Sequence, residues 1–484
     1  MSWFLIFLPL ATALMAFFTK SEAFRVRLLP ITGLGHLAGV VVSLVINTWY
    51  RGWGTAPPGV WLGLDALGGW VLLVVSTLFT LCAFYAPGYL ALRPGRNVRI
   101  FVVCFLCFLG MASLVAHARH PGLVWVGMET TTLASAPLVY FNHNKQSLEA
   151  AWKYIIVGSV GIALALLGTL FLAYGAYMGG LDEPLHYVRL MQQAPELSRP
   201  WLRAGFVLAL VGYGTKMGLA PLHTWKPDAY SVTPGIVGAL LAGGVTSCAF
   251  LALLRTYGVL AAAGETAFAQ ELMIGFGLLS MAWALAFMVR QTDFKRLLAY
   301  SSVEHMGILV FGIGLGGAAV RFALFHLAAN ALVKSVLFMS AGNLHRAYGS
   351  RQVSAVTGAL RRMPVSGWLF LLGFLAITGA PPFAPFYSEF NLAVSTFTSG
   401  GRIWLGVLFL VLLGGIFLAM SDPVVKMVFG TPRANRERTP YTDAFATTAP
   451  LVVALGLALV LGVWLPRPAD QMIRSAAAWV EGQP

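Results

Sequence analysis

Seven ionisable side chains lie within long apolar stretches of this chain, and they are the residues best placed to do chemistry. They are Glu129, Lys216, Glu304, His305, His326, Lys334 and Glu389. Where such a stretch crosses a membrane, a charge at the bilayer centre costs about 2.5–3.5 kcal/mol on insertion scales. That cost makes each of the seven a functional candidate, with a partner expected nearby.

The types of these residues indicate proton transfer. The pKa of a buried lysine falls readily and a neighbouring carboxylate raises it again, so such pairs exchange protons near neutral pH. A histidine can bridge them because its ordinary pKa is about 6.5. His326, Asn330 and Lys334 follow one another at four-residue intervals, so they line one helix face over about 12 Å. We therefore predict a proton relay rather than a solute carrier, which needs fewer ionisable groups and a shaped pocket.

The composition requires that membrane helices position these residues. The chain has 484 residues, of which 58% are hydrophobic and only 10% are charged, whereas soluble domains carry about 25% charged residues. Disorder, nucleic-acid binding and ordinary soluble enzymes are therefore disfavoured, and the net charge of +14 is attributed to cytoplasmic loops. Cys104 and Cys107 form a C-x-x-C inside an apolar run, which predicts no metal site because zinc and redox motifs need a polar setting.

We predict an all-α polytopic membrane protein with about fourteen transmembrane helices, at about 20 residues per span. Residues 1–484 form a single membrane domain, and 466–484 form a short C-terminal tail. Loops after odd-numbered spans carry about twice as many Lys and Arg residues as the other loops. The odd-numbered loops are therefore predicted to lie in the cytoplasm. Both termini then lie on the outer, periplasmic side of a prokaryotic inner membrane, with lipid around the helices.

Two of these helices are predicted to be broken by proline. Pro221 interrupts GLAPLHTWKP, and Pro381 and Pro382 interrupt TGAPPFAPF. A proline removes a backbone donor, and in lipid the freed carbonyl groups must be satisfied by protein or water. The breaks lie five spans apart, which predicts inverted five-helix repeats at 98–258 (spans 4–8) and 267–421 (spans 9–13). His223, Lys226 and Asp228 follow the first break, and each is either functional or interfacial. His223 and Asp228 are candidate relay or water-binding residues, and Lys226 is counted with the loop charges.

Six motifs resemble the antiporter-like, proton-conducting membrane subunits of respiratory complex I and its relatives. They are WVGMETTTLASAPLV, SLEAAWKYIIVGSVG, GYGTKMGLAPLHTWKPDAYS, DFKRLLAYSSVEHMGIL, FHLAANALVKSVLF and ITGAPPFAPFYSEF. Within that family, GYGTKMGLAPLHTW, SSVEHMG and LFMSAGN most resemble component F of hydrogenase-4-type and formate hydrogenlyase membrane arms.

The resemblance implies roles for particular residues. It implies fourteen helices, a glutamate–lysine pair at Glu129 and Lys216, and the family's histidine of the central helix at His305. It also implies His326 and Lys334 on the next helix, and Glu389 as the last relay group. Two positions depart from the family pattern. Ser247 stands where complex I subunits usually have a lysine, and Asn330 stands where a second histidine is common. Both can hydrogen-bond or hold water, and Glu304 can supply the missing charge.

We therefore predict an ion-translocating membrane subunit, for protons or sodium, of a modular redox complex such as a group 4 NiFe-hydrogenase. Nickel, iron–sulfur, flavin and quinone motifs are missing from the sequence, so this chain is not catalytic alone. NiFe or Fe–S centres would belong to the other membrane and peripheral subunits. Two alternatives remain, a subunit of a multi-subunit Na⁺/H⁺ antiporter and the membrane subunit of an inorganic-carbon uptake complex.

Overall fold

The computed structural model describes residues 2–48, 60–93, 95–181, 185–398, 402–431 and 439–483, and helices dominate these ranges. The α-helices are α1 (Ser2–Phe18), α2 (Glu22–Ile46), α3 (Ala66–Ala91), α4 (Val98–His117), α5 (Pro121–Val139), α6 (Lys145–Met178), α7 (Tyr187–Gln192), α8 (Arg199–Met217), α9 (Trp225–Val232), α10 (Gly235–Leu240), α11 (Thr246–Ala262), α12 (Thr266–Met288), α13 (Phe294–Leu315), α14 (Ala318–Tyr348), α15 (Ala359–Arg362), α16 (Pro364–Ile377), α17 (Ala384–Thr398), α18 (Ile403–Val428), α19 (Phe445–Val463) and α20 (Arg467–Val480). A π-helical turn, Leu241–Val245, joins α10 to α11.

Ten of these elements are long and apolar enough to cross a membrane, with α10 and α11 counted as one. Two further apolar helices, α1 and α16, are shorter. Within the described ranges β-structure is limited to isolated bridges, Leu62 with Ala118 and Asp293 with Gln352. The prediction of an all-α polytopic membrane protein is confirmed at this level.

The helices form an inner layer and an outer layer. The 18-residue apolar segments of α13 and of the α10–α11 element are wholly buried, and that of α14 is almost wholly buried. In the corresponding segments of α2, α6, α12, α18 and α19, fewer than half of the residues are buried. Polar groups on α13 and α14 therefore face protein rather than lipid, which is the setting that intramembrane ionisable residues require.

The structure interrupts a helix at the first predicted position. Helix α8 ends at Met217, where Gly218 adopts φ 80°, and α9 begins at Trp225. Pro221 lies in the connecting segment. Two carbonyl groups of the last turn of α8 accept hydrogen bonds from side chains of α9: the Thr215 carbonyl from Trp225 Nε1 at 2.9 Å, and the Met217 carbonyl from the ammonium of Lys226 at 2.7 Å. These donors satisfy the backbone groups that the break leaves free.

A second interruption separates α16, which ends at Ile377, from α17, which begins at Ala384. Pro381 and Pro382 lie between them. Each broken element packs against a long unbroken helix, α8 against α6 and α16 against α14. Those two long helices have 34 and 31 residues.

The bundle has two ends, which we name after the ion pairs there. At the Arg255 end, Arg255 Nη1 lies 2.8 Å from Asp65 Oδ2, and Trp479 of α20 lies 5.7 Å from the Arg255 guanidinium. At the Asp228 end, the Asp228 carboxylate pairs with Arg296 at 2.8 Å and Lys153 at 3.0 Å. Three arginines that contribute to the predicted cytoplasmic loop charge lie outside the described residues, namely Arg433, Arg436 and Arg438.

The predicted C-terminal tail is an amphipathic helix packed on the Arg255 end. Helix α20 contacts α3, α11 and α14. Its buried side includes Ile473 and Val480, and Asp470 pairs with Arg321 of α14.

Candidate functional site

Side chains on α13, α14 and α17 form a hydrogen-bonded polar row in the buried layer. His305 Nδ1 and His326 Nε2 lie 2.9 Å apart, and His326 Nδ1 lies 2.8 Å from Ser388 Oγ. Both histidines and Ser388 are fully buried. Two tautomer arrangements satisfy these hydrogen bonds, and moving one proton along the row converts one arrangement into the other.

The same row continues on α13 through a serine hydroxyl. The ammonium of Lys334 donates to Ser301 Oγ at 2.5 Å, and Ser301 Oγ donates to Glu304 Oε2 at 3.4 Å. Glu304 Oε2 lies 3.8 Å from His305 Nε2. Glu304 is 2% exposed and Lys334 is fully buried. An acid, an amine and two imidazoles thus form one continuous polar path. We call Ser301, Glu304, His305, His326, Lys334, Ser388 and Glu389 the central cluster.

Several atoms in and beside the central cluster have no hydrogen-bond partner among the described residues. They are His305 Nε2, Asn330 Oδ1 and Glu389 Oε1. Buried polar atoms are normally paired with protein or water, so free positions of this kind suit water or a hydrogen bond that changes partners. Asn330 therefore lies where a water-binding residue is expected, one turn from His326 on α14.

Ligand atoms of His305, His326 and Glu389 lie within 4.8 Å of one another and could hold a metal ion. The two imidazoles, however, direct Nδ1 and Nε2 at each other across 2.9 Å. A nitrogen that is engaged in this hydrogen bond has its lone pair or its proton occupied, so proton sharing fits the arrangement better than coordination.

A second pocket holds the predicted glutamate–lysine pair between α5, α6 and α8. Lys216 is fully buried. Its ammonium donates to Thr132 Oγ1 and lies 4.6 Å from the centre of the Tyr154 ring. Glu129 Oε1 accepts a hydrogen bond from Ser159 at 2.9 Å. We call the site formed by Glu129, Thr132, Tyr154, Ser159 and Lys216 the Lys216 pocket. Among the described residues the Glu129 and Lys216 side chains are not directly hydrogen-bonded, and Thr132, one turn beyond Glu129, contacts the lysine instead.

The sequence leaves Lys226 as either functional or interfacial and counts it among the loop charges, but the structure buries it completely. Its ammonium donates to the Met217 carbonyl of α8 at 2.7 Å and to the Ser302 carbonyl of α13 at 3.2 Å. The signal was present in the sequence: after the break at Pro221 the chain re-enters a helix, so a lysine five residues on need not be at the surface.

Three further predicted positions lie in different settings. His223 is 3% exposed, and its Nδ1 has no partner among the described residues. Asp228 lines an open cavity of about 220 Å³ at the Asp228 end, together with Lys153 and Arg296. The Ser247 hydroxyl, in the first turn of α11, donates at 2.5 Å to the Gly243 carbonyl in the preceding π-helical turn. Ser247 is therefore satisfied locally, while Asp228 marks a solvent-accessible mouth.

Outside the membrane-spanning segments, burial also perturbs groups at the Arg255 end. Burial lowers the pKa of Arg119, and it also lowers the pKa of His186. The nearby Asp65 carboxylate accepts from the Gly68 backbone N–H at 2.6 Å and pairs with Arg255. These contacts make Asp65 a helix-capping anchor.

Known proteins resemble this chain over most of its length. Residues 118–416 match the family described as "NADH:quinone oxidoreductase/Mrp antiporter, TM". The hydrogenase-4 component F homolog of Methylacidiphilum infernorum is 34% identical over 424 residues, covering 85% of this chain and 87% of that protein.

Two solved structures share the fold. A chain of the membrane-bound sulfane sulfur reductase, an archaeal respiratory membrane complex, superimposes with a TM-score of 0.86 at 23% identity, covering 99% of this chain and 97% of that one. A chain of the Mrp complex from Dietzia sp. DQ12-45-1b gives 0.86 at 19% identity, covering 99% and 96%.

The fold and the buried acid–lysine–histidine path define an antiporter-like membrane subunit. The chain belongs to the NADH:quinone oxidoreductase/Mrp antiporter transmembrane family.

Proposed function

We propose that this chain carries protons across the membrane as one subunit of a larger complex, using the Lys216 pocket and the central cluster. The observation that carries the proposal is the path from Lys334 through Ser301 and Glu304 to His305 and His326, whose successive atoms lie 2.5, 3.4, 3.8 and 2.9 Å apart. Each ionisable group on this path can hold or release one proton, and each neighbour is within reach of a hydrogen bond or a small side-chain movement.

Electrostatic coupling links proton transfer at the two ends of the path. Lys334 and Glu304 share Ser301 as an intermediary, so each charge stabilises the other in a water-poor interior. A proton that arrives on Glu304 removes this stabilisation and favours release from Lys334. Groups coupled in this way titrate together rather than singly. A change at one end of the path therefore alters proton affinity at the other end.

The proposed host is a modular redox complex of the hydrogenase-4 type, supported by the 34% identical relative. Redox centres such as NiFe or Fe–S clusters would belong to partner subunits, and this chain would supply transport alone. The second candidate is a multi-subunit Na⁺/H⁺ antiporter, favoured by the TM-score of 0.86 to a chain of an Mrp complex. Co-purification decides between them, because a hydrogenase large subunit supports the first and small antiporter subunits support the second.

We further propose fourteen crossings arranged as two inverted repeats, 98–258 and 267–421. In support, α8 begins at the Arg255 end, where Arg203 pairs with Glu265. Helix α16 begins near the other end, because Ser366 bonds to Asn343 in the last turns of α14, and α14 leads to Arg351 at the cavity lined by Asp228. The two broken helices thus run in opposite directions. The loop charges support a cytoplasmic position for the Asp228 end in a prokaryotic inner membrane, with both termini outside.

The direct test is proton uptake by proteoliposomes that contain the intact complex. Lys334→Met removes a fully buried amine of the central cluster and is expected to reduce uptake at least tenfold. The matched control is Lys426→Met, because Lys426 is 63% exposed and pairs only with its helical neighbour Asp422. Equal uptake in wild type and Lys334→Met, with normal assembly, would overturn the proposal.

A further inference from the structure

The ammonium of Lys226 lies between the two polar clusters of this chain. It donates to the carbonyl of Met217, the neighbour of Lys216, and to the carbonyl of Ser302, the neighbour of Ser301. One side chain therefore links the broken end of α8 to the helix that carries Glu304 and His305. It reaches both without surface exposure.

Lys226 is held without an acid. Among the described side chains its ammonium pairs with no carboxylate, and its further contact is the face of the Tyr230 ring at 5.7 Å. The Met217 carbonyl is at the C-terminus of α8, where the helix dipole favours a cation. Backbone dipoles stabilise a positive charge without fixing it as strongly as a paired carboxylate, so this lysine is free to lose its proton when neighbouring charges change.

The backbone is shaped to admit this side chain. Gly218 adopts φ 80°, and a Cβ there would fall 2.6 Å from Lys226 Cδ and 3.1 Å from Nζ. The lysine stem thus lies directly over a glycine at the end of α8. A larger residue at position 218 would displace the ammonium from between the clusters.

The position where the family pattern usually has a lysine supplies no charge in this chain. Ser247 carries no charge, and its hydroxyl is bound to the Gly243 carbonyl of its own helix. The described part of the chain therefore offers Lys226 as the amine between Lys216 and Lys334.

We propose that Lys226 is the proton-carrying residue that connects the Lys216 pocket to the central cluster; this inference rests on the proposed proton transport. In the transfer step one N–H bond of the Lys226 ammonium breaks, and intervening water carries the proton to the Glu304 carboxylate. The lysine becomes a neutral amine and the glutamate a neutral acid. A proton from the Lys216 side then restores the ammonium.

Substitutions separate proton transfer from simple capping of α8. Lys226→Gln keeps an N–H donor for the Met217 carbonyl but cannot exchange a proton. Lys226→His offers a donor and also titrates near pH 6.5. In the reconstituted complex we expect the glutamine variant to lose at least tenfold in proton uptake. The histidine variant should retain more uptake than the glutamine variant, with its maximum at lower pH than wild type. Lys226→Arg keeps charge and donors but cannot release a proton, so it should also fail.

Lys334→Met measured in parallel keeps the two claims apart. If Lys334→Met stops uptake but Lys226→Gln transports at the wild-type rate, or exceeds Lys226→His, the role of Lys226 is overturned and the proposed function stands. If Lys334→Met itself transports normally, the proposed function is the claim that fails. Native gel electrophoresis of each variant complex measures assembly. It therefore distinguishes a loss of proton transfer from a loss of folding.

Discussion

At the residue scale, serine and threonine hydroxyls complete a path that the charged residues alone do not form. Ser301 joins Lys334 to Glu304, Thr132 accepts from Lys216, and Ser388 ends the histidine row. The charged residues could be predicted because their insertion cost follows from residue type. The hydroxyl groups could not, because most of those in membrane helices bond to a carbonyl of their own helix and carry no distinguishing signal.

Ser301→Ala is expected to reduce proton uptake about tenfold, because alanine removes the hydroxyl that accepts from the Lys334 ammonium and leaves a buried charge without that hydrogen bond. The matched control is Ser335→Ala. Ser335 follows Lys334 and is fully buried, but its hydroxyl donates to the Leu332 carbonyl of its own helix. Uptake assays on both variants check this, and equal activity of the two would contradict the role of Ser301.

Thr132→Val should lower uptake with little change in assembly, because valine keeps the shape and removes the oxygen that accepts from Lys216. Thr131→Val is the neighbouring control, since the Thr131 hydroxyl donates to the Met128 carbonyl within α5. Initial rates of dye-reported acidification measure both. If Thr131→Val were the more impaired variant, local helix geometry rather than the lysine contact would be the cause.

At the scale of helices, the broken element α8–α9 places both lysines of the first half. The sequence indicated a break at Pro221, but α8 ends four residues earlier because Gly218 takes a left-handed conformation. Proline marks a segment that cannot continue a helix, whereas the end itself depends on where a left-handed glycine terminates it. The break at Pro221 indicated that the chain re-enters a helix, but it did not show that this helix, α9, buries Lys226.

Gly218→Ala is expected to destabilise the protein by about 1–2 kcal/mol, since a Cβ disfavours the left-handed conformation, and also to impair uptake by displacing Lys226. Gly275→Ala is the control, because a Cβ at this α12 position meets nothing within 4 Å. Thermal unfolding of the purified complex measures stability, and uptake measures transport. Wild-type values of both in Gly218→Ala would show that the conformation at position 218 is not required.

At the scale of the whole molecule, the low charge and high apolar content predicted the membrane fold, and the inner layer of α10–α11, α13 and α14 follows from the need to shield polar groups from lipid. The packing of α20 on the Arg255 end could not be predicted, because the buried Arg255–Asp65 pair that Trp479 covers joins residues far apart in sequence. Only tertiary contacts identify such a pair.

The central claim is that the Lys216 pocket and the central cluster belong to one path, and a double-mutant cycle tests it most directly. Proton uptake per turnover is measured in proteoliposomes for Lys216→Met, Lys334→Met and the double variant, each as the intact complex. A single path predicts that each substitution alone brings uptake close to zero, so that the double variant is no worse than either single variant. Partial losses in the single variants that add up to the full loss in the double variant would show two independent routes and would contradict the account.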